Sequence, residues 1–211
     1  MQLFQFPFSH NCAKVKIALM EKGLAFESPV VDAALLRSPE FLAMNPLGKV
    51  PLLVDGDFAI GESEVIVEYL EDRYPQPPLL PATVEGRARS RWLSRFHDMY
   101  LGPQLSTLYF ALSDGRAGKP EFAREVDRLV ELVAMLEALV DPRPYFLGSQ
   151  FTLADAPYAL SYYFILTLSA AHGRPLTEVE MPKLARWFEA VSARPSVASV
   201  LQAAKVALAG G

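Results

Sequence analysis

The chain has one cysteine, Cys12, in 211 residues, which excludes an intramolecular disulfide framework. A reducing, cytoplasmic setting is the expectation that follows. There is no apolar run of about eighteen residues, so no membrane-spanning helix and no membrane partner are expected. No basic segment leading into an apolar one opens the chain, so no signal peptide is expected. Positive charge is not in excess. The 20 Lys and Arg residues face 24 Asp and Glu, and the net charge is −4. A surface for nucleic acid needs a basic face, so that partner is not expected either. Histidine is scarce, with only His10, His97 and His172. They form no metal-ligand spacing and no nucleophile triad by themselves, so no metal is expected. His97 reads as a helix-packing residue rather than a base. Repeats and a phosphate-binding glycine loop are lacking as well. What is plentiful is apolar: 51% of residues are hydrophobic, enough for one large domain or two small ones.

The organising stretch is the turn Pro7-Phe8-Ser9-His10-Asn11-Cys12 and the helix it opens. Leu3-Phe4-Gln5-Phe6 before it reads as a strand. After it, Cys12, Val15 and Leu19 fall at i, i+3 and i+7, so one helix face points at a core. Ser9 and Asn11 are residue types that satisfy orphan N–H groups at a helix start. The same helix end carries partial positive charge and welcomes an anion. Two readings stay open: Ser9 or Asn11 simply caps the helix, or a hydroxyl there holds a thiolate.

Gly23 stops this helix. Phe26–Val31 reads as a second strand, and strand, helix and strand make a right-handed βαβ unit. Ser38 caps a short helix with Pro39 at its first position. Asn45-Pro46-Leu47-Gly48 is a turn by composition. Asp55-Gly56-Asp57 between Val50–Val54 and Phe58–Ile60 is a hairpin signal. Pro51 opens a strand, where proline is tolerated only at the start or an edge. A cis Val50-Pro51 bond would turn the Val50 backbone outward for a ligand's peptide group, and an ordinary trans bond is the plain alternative. Glu62-Ser63 then stands at the start of a helix whose apolar residues Ile66, Tyr69, Leu70 and Tyr74 recur at helical spacing. Free N–H groups and the Ser63 hydroxyl there can take a carboxylate, and Glu62 can pair with an ammonium. An α-amino acid head has both. Simple capping by Ser63 is the alternative.

Three pieces together, Ser9-x-x-Cys12 before Lys14–Leu19, Asn45-Pro46-x-Gly48-Lys49-Val50-Pro51, and Glu62-Ser63 before Ile66-x-x-Tyr69-Leu70, resemble the soluble glutathione transferase superfamily. The resemblance implies a thioredoxin-like β-α-β-α-β-β-α domain followed by an all-helical one. It implies that Ser9 contacts the glutathione sulfur, as in serine-type, bacterial-like members, with Asn11 beside it. Lys49 would lie near the glycine end. Val50 and Pro51, as a cis-proline pair, would hold the cysteinyl backbone, and Glu62 and Ser63 would grip the γ-glutamyl head. No tyrosine opens the turn, which disfavours tyrosine-type classes. Asn11 stands about where cysteine-type bacterial classes carry their cysteine, and Cys12 falls on the core face, where it should be buried and inert. A homodimer is also implied, joined through Glu64–Tyr74 and the helix of Trp92–Met99.

The remaining chain reads as helical. The proline-rich run 75–81 marks a boundary, giving domains over 1–76 and 86–211 with a linker at 77–85. Trp92, Phe96, Met99 and Pro103 keep helical spacing until Gly102-Pro103 kinks or breaks the helix. Phe122, Val126, Leu129, Val130, Val133, Leu136 and Val140 form a continuous stripe. Thr152 and Asp155 have capping-box spacing, a folding feature, and Pro157 should bend the helix behind them. Tyr158–Leu168, apolar on nearly every side, should be buried and central. The expected activity is addition of the glutathione thiolate to a small hydrophobic electrophile, with glutathione as co-substrate. Pro7, Phe8 and His10 would line the electrophile site, with Met99, Tyr100, Pro103, Tyr109 and Phe110 as the far wall. The alternatives are a glutathione-dependent isomerase, dehalogenase or peroxidase on the same fold, a thiol-transfer enzyme acting through Cys12, or a non-catalytic binding protein.

Overall fold

The structure, a computed structural model, describes residues 1–209. The chain forms two compact units, one of Met1–Leu80 with the chain from Pro195 onward, the other of Pro81–Arg194.

The first unit is thioredoxin-like. Its elements are β1 (Gln2–Phe4), α1 (His10–Glu21), α2 (Pro39–Met44), β2 (Leu52–Asp55), β3 (Phe58–Gly61) and α3 (Ser63–Arg73). The strands form an antiparallel sheet in the order β1-β2-β3, with Phe4 opposite Leu52 and Leu52 opposite Gly61. The hairpin turns through Gly56 and Asp57, and Gly56 has a φ of 63°. That is the left-handed value a type II′ turn needs at its first central position. The strand expected over 26–31 is corrected to an edge held by two parallel bridges, Gln2 to Glu27 and Gln5 to Val30. Leu3 N–H donates to Glu27 O at 2.8 Å and Val31 N–H to Gln5 O at 3.2 Å. Pro29 between them has no N–H to donate, so the ladder cannot run through.

Helices α1 and α3 pack side by side and parallel. Lys14 Nζ lies 3.0 Å from Glu64 Oε2 near their N-termini, and Lys22 Nζ lies 2.7 Å from Glu71 Oε2 farther along. Glu71 also accepts from Leu79 N–H and Leu80 N–H, and Lys22 donates to Tyr74 O and Pro77 O. The proline-rich run is thereby tied down at Pro77, Leu79 and Leu80. Asp55 Oδ2 accepts from both Tyr69 and Tyr74 hydroxyls, which fixes the hairpin to α3.

The helical domain expected over 86–211 loses its last helix. The helix α9 (Pro195–Ala209) joins the first unit, burying Val197, Val200, Leu201 and Ala204, and its Ser196 hydroxyl donates to Glu21 of α1. An apolar stripe demands a cover without specifying which neighbour supplies it.

The second unit holds α4 (Val84–Phe96), α5 (Gly102–Ser113), α6 (Ala123–Leu139), α7 (Tyr158–Ala171) and α8 (Pro182–Ser192). Between α4 and α5 the helix widens into a π-turn, His97–Leu101, rather than breaking. Pro103 has no N–H for the Met99 carbonyl and its ring would clash there, and the wider turn relieves both. The run Trp92, Phe96, Met99 does not mark the core face: Trp92 and Met99 are exposed, and Ser90, Leu93, Ser94, Phe96 and His97 face inward. His97 is buried, with Nε2 2.8 Å from Ser161 Oγ and Nδ1 3.0 Å from Asp98 Oδ1. The α6 stripe is buried at Val126, Leu129, Val133 and Leu136, and α7 is buried on nearly every side.

Thr152 and Asp155 form the expected box. Asp155 accepts from Thr152 N–H, Thr152 Oγ1, Phe146 N–H and Trp187 Nε1. Burial pushes the Asp155 pKa up and these donors pull it back. The box sits in a separate turn, and Pro157 is the N-cap of α7 instead of a bend within it.

Candidate active site

The sheet register assembles the site. Phe4 and Gly61 flank Leu52 in register at one end of the sheet. The chain leaves β1 there toward Pro7–Ser9, enters β2 there through Val50-Pro51, and leaves β3 there into Glu62-Ser63. Three motifs far apart in sequence therefore emerge at one edge. The Lys14–Glu64 pair shows that the N-termini of α1 and α3 end beside each other at this edge. Two parallel helix dipoles add their partial positive charges in the same place.

Ser9 is the N-cap of α1, with Oγ accepting from Cys12 N–H at 3.3 Å. Capping and thiolate binding, opposed in the sequence, are compatible. The hydroxyl oxygen accepts from the helix and its hydrogen is left to donate. Asn11 lies inside the first turn, half-buried. Cys12 is 1% exposed, and burial pushes its thiol up to about 11. Such a thiol is not a nucleophile at neutral pH. Pro7 and Phe8 are half-buried, Phe8 stacks on Phe6 with ring centres 5.6 Å apart, and His10 is buried in the first turn of α1.

The Val50-Pro51 bond is cis. Val50 is half-buried just outside the ladder, Pro51 is buried, and Lys49 is exposed. Asn45 shapes this approach: its Nδ2 donates to Lys49 O at 2.8 Å and its Oδ1 accepts from Leu47 N–H at 3.2 Å. Gly48 completes the turn with φ 58°, and its N–H donates to Asn45 O.

Glu62 is the N-cap of α3 with φ 66° and makes no side-chain cap hydrogen bond. It is the one non-glycine residue with positive φ among the described residues. Such a conformation costs on the order of 1–3 kcal/mol and persists where neighbours over-determine it, commonly at functional sites. Ser63 is buried at the first helical position, so it does not cap the helix in the usual sense. The α3 N-terminus therefore presents donors without an internal acceptor from its cap, which fits a carboxylate.

The far-wall candidates lie in the second unit. Met99, Tyr100 and Pro103 line a surface groove of about 230 Å³ together with Gln104, Thr107, Arg128 and Leu132. Tyr109 and Phe110 do not line it. Tyr109 packs edge-on against Phe110 and Phe164, and Phe110 is exposed. Sequence reasoning left out Lys14 and Glu64, because their pairing spans fifty residues. It read Asn45 only as a turn former, although the Asn-Pro-x-Gly run was its signal.

Residues 3–78 match the glutathione S-transferase N-terminal domain and residues 119–190 the C-terminal domain. The chain belongs to the glutathione S-transferase family. It is 35% identical to glutathione S-transferase 3 of Zea mays over 205 residues, 93% of this chain and 90% of that protein. It is 33% identical to a stringent starvation protein A homolog of Pasteurella multocida, covering 74% of this chain and 70% of that one. A glutathione transferase family member from Pseudomonas fluorescens, solved with two glutathione molecules bound, superposes with a TM-score of 0.80 at 27% identity, over 95% of this chain and 91% of that one. The glutathione S-transferase fold of a thioredoxin-like domain and a helical domain is thus the architecture of this chain. Among the described residues no His, Cys, Asp and Glu cluster suits a metal, and no helix is long and apolar enough to cross a membrane.

Proposed function

We propose that this family member is a glutathione transferase that adds the glutathione thiolate to a small hydrophobic electrophile, with Ser9 stabilising the sulfur. One observation carries the reading: Ser9, Val50-Pro51 and Glu62-Ser63 emerge at one end of one sheet, beside two helix N-termini. In this reading the α3 N-terminus and Ser63 take the γ-glutamyl carboxylate and Glu62 the ammonium. Val50 pairs with the cysteinyl backbone, Lys49 attracts the glycine carboxylate, and Asn11 stands by the thiol. An alkyl thiol with a pKa of about 8.5 is mostly protonated at neutral pH, and only the thiolate attacks. The Ser9 O–H donates to the sulfur and the α1 N-terminus adds favourable field, so the proton leaves more readily. The sulfur then bonds to the electrophilic carbon, and the leaving group departs with the bonding pair. Electrophile contacts are assigned to Pro7, Phe8 and His10, beside Ser9. We also assign a cytoplasmic homodimer joined through Glu64–Tyr74 and Trp92–Met99. A sedimentation mass of one chain at micromolar protein would reject the dimer.

A panel of electrophiles assayed with glutathione, followed by product mass, tests the activity. A stoichiometric conjugate supports transfer, whereas a changed electrophile with glutathione returned points to isomerase or related chemistry. Ser9→Ala should depress turnover strongly and move the pH–rate profile upward. The similarity to the stringent starvation protein A homolog, whose name records no transferase activity, favours one second reading: a non-catalytic binding protein. Absence of glutathione binding in calorimetry would select it.

A further inference from the structure

The ion pair between Lys14 and Glu64 lies next to the proposed glutathione site, and neither residue belongs to the set assigned to it. Lys14 is fully buried in the second turn of α1, and its Nζ is 3.0 Å from Glu64 Oε2, in the first turn of α3. A lysine is almost never fully buried unless paired. Glu64 directly follows Ser63 and stands two residues from Glu62. Glu62 is strained, and strain persists only when both sides of a residue are held. On one side Gly61 is paired with Leu52 in the sheet. On the other side Glu64 is pinned to Lys14.

We propose that Lys14 and Glu64 are positioning residues for the γ-glutamyl end of glutathione: the pair clamps the first turn of α3 against α1, which holds Glu62 in its strained conformation and sets the spacing between Ser63 and Ser9. This rests on the glutathione-binding reading above. The pair touches two ends of the same ligand's site at once. Ser9 caps the helix that carries Lys14, and Ser63 starts the helix that carries Glu64. Releasing it frees the γ-glutamyl station and leaves the sulfur station, built from the Phe6–Ser9 turn, in place.

The test compares Lys14→Met and the double variant Lys14→Met/Glu64→Gln with the native chain by calorimetry. The double variant removes both charges of this pair together, so neither is left buried opposite a neutral replacement, and it guards against a simple folding failure. The probes are glutathione, γ-glutamylcysteine and cysteinylglycine. We expect both variants to lose at least tenfold in affinity for glutathione and for γ-glutamylcysteine. Affinity for cysteinylglycine, which lacks the γ-glutamyl head, should change less than twofold. Equal loss for all three probes would mean general structural damage and would overturn the proposal. So would native-like glutathione affinity in the double variant. If the native chain itself binds none of the probes, the glutathione reading fails and this inference falls with it.

Discussion

The start of α3 and the turn before α7 are built from similar residues and end in opposite states. At Thr152–Asp155, one buried carboxylate accepts from four donors, and the box is saturated from within the unit. At Glu62-Ser63, the N-cap residue makes no side-chain cap hydrogen bond and its backbone is strained, with φ 66°. The first arrangement spends its polar groups on folding. The second leaves its cap side chain without such a bond, and in the proposed function those groups take the γ-glutamyl head. A hydroxyl and a carboxylate at a helix start do not reveal their role by identity. The number of internal partners separates the two roles.

Asp155→Ala should give the largest effect and would sharpen this contrast. It strands four donors, and a stability loss on the order of 4 kcal/mol or more is expected in denaturant unfolding. Protein that still folds should bind glutathione normally; a comparable loss of affinity would break the distinction between the two turns. Paired substitutions come next. Thr152→Ala should cost about 1–2 kcal/mol, as loss of a cap does, without changing glutathione affinity. Ser63→Ala should shift stability by less than about 0.5 kcal/mol while lowering glutathione affinity roughly tenfold, because it removes a ligand contact and no internal one. Glu62→Gly should be the only change that stabilises, by about 1 kcal/mol, since glycine adopts φ 66° without strain. Its glutathione affinity should fall together with that gain. A Glu62→Gly chain that is less stable than the native one would show that the conformation is not strained. The remaining effect concerns the thiol and is confined to high pH. Burial raises the Cys12 pKa from 9.0 to about 11, so the folded chain keeps a proton that the unfolded chain releases. Cys12 should therefore lower stability as pH rises from 9 toward 11, by about 1 kcal/mol per unit at most, and Cys12→Ala should make the fall shallower, leaving the part due to tyrosines such as Tyr109 and Tyr162, which burial also pushes up. Below pH 9 the native chain and this variant should run parallel.

The parts of the molecule written in local chemistry were legible. Ser9 before α1, Gly23 after it, Ser38-Pro39 at α2 and the Asp-Gly hairpin each depend on residues within one turn of each other, and each stands where the sequence put it. Features that depend on distant partners were not. Lys14 and Lys22 look like surface lysines until Glu64 and Glu71 are brought to them from fifty residues away. Phe26–Val31 has a strand's composition, yet Pro29 removes the donor that would complete it. In the helical half, Trp92 and Met99 keep helical spacing on the wrong face, because the buried face of α4 sets Leu93 and Phe96 among Ser90 and Ser94, which no hydrophobicity pattern marks. At the site, the residues of each motif were legible and so was their order. The strain at Glu62 was not, because nothing in its own composition asks for a positive φ.

The docking of α9 on α1 has a consequence for synthesis. Ribosomes deliver this chain from Met1 onward, and domains generally fold as units as they emerge. The second unit is continuous over Pro81–Arg194 and has all its helices once Arg194 is out. The first unit, although its first eighty residues appear earliest, waits for the final fifteen-residue helix to cover α1. The unit that carries Ser9 is thus begun before the second unit and completed after it. A chain cut short before Pro195 would leave that unit open along α1, whatever the state of the rest.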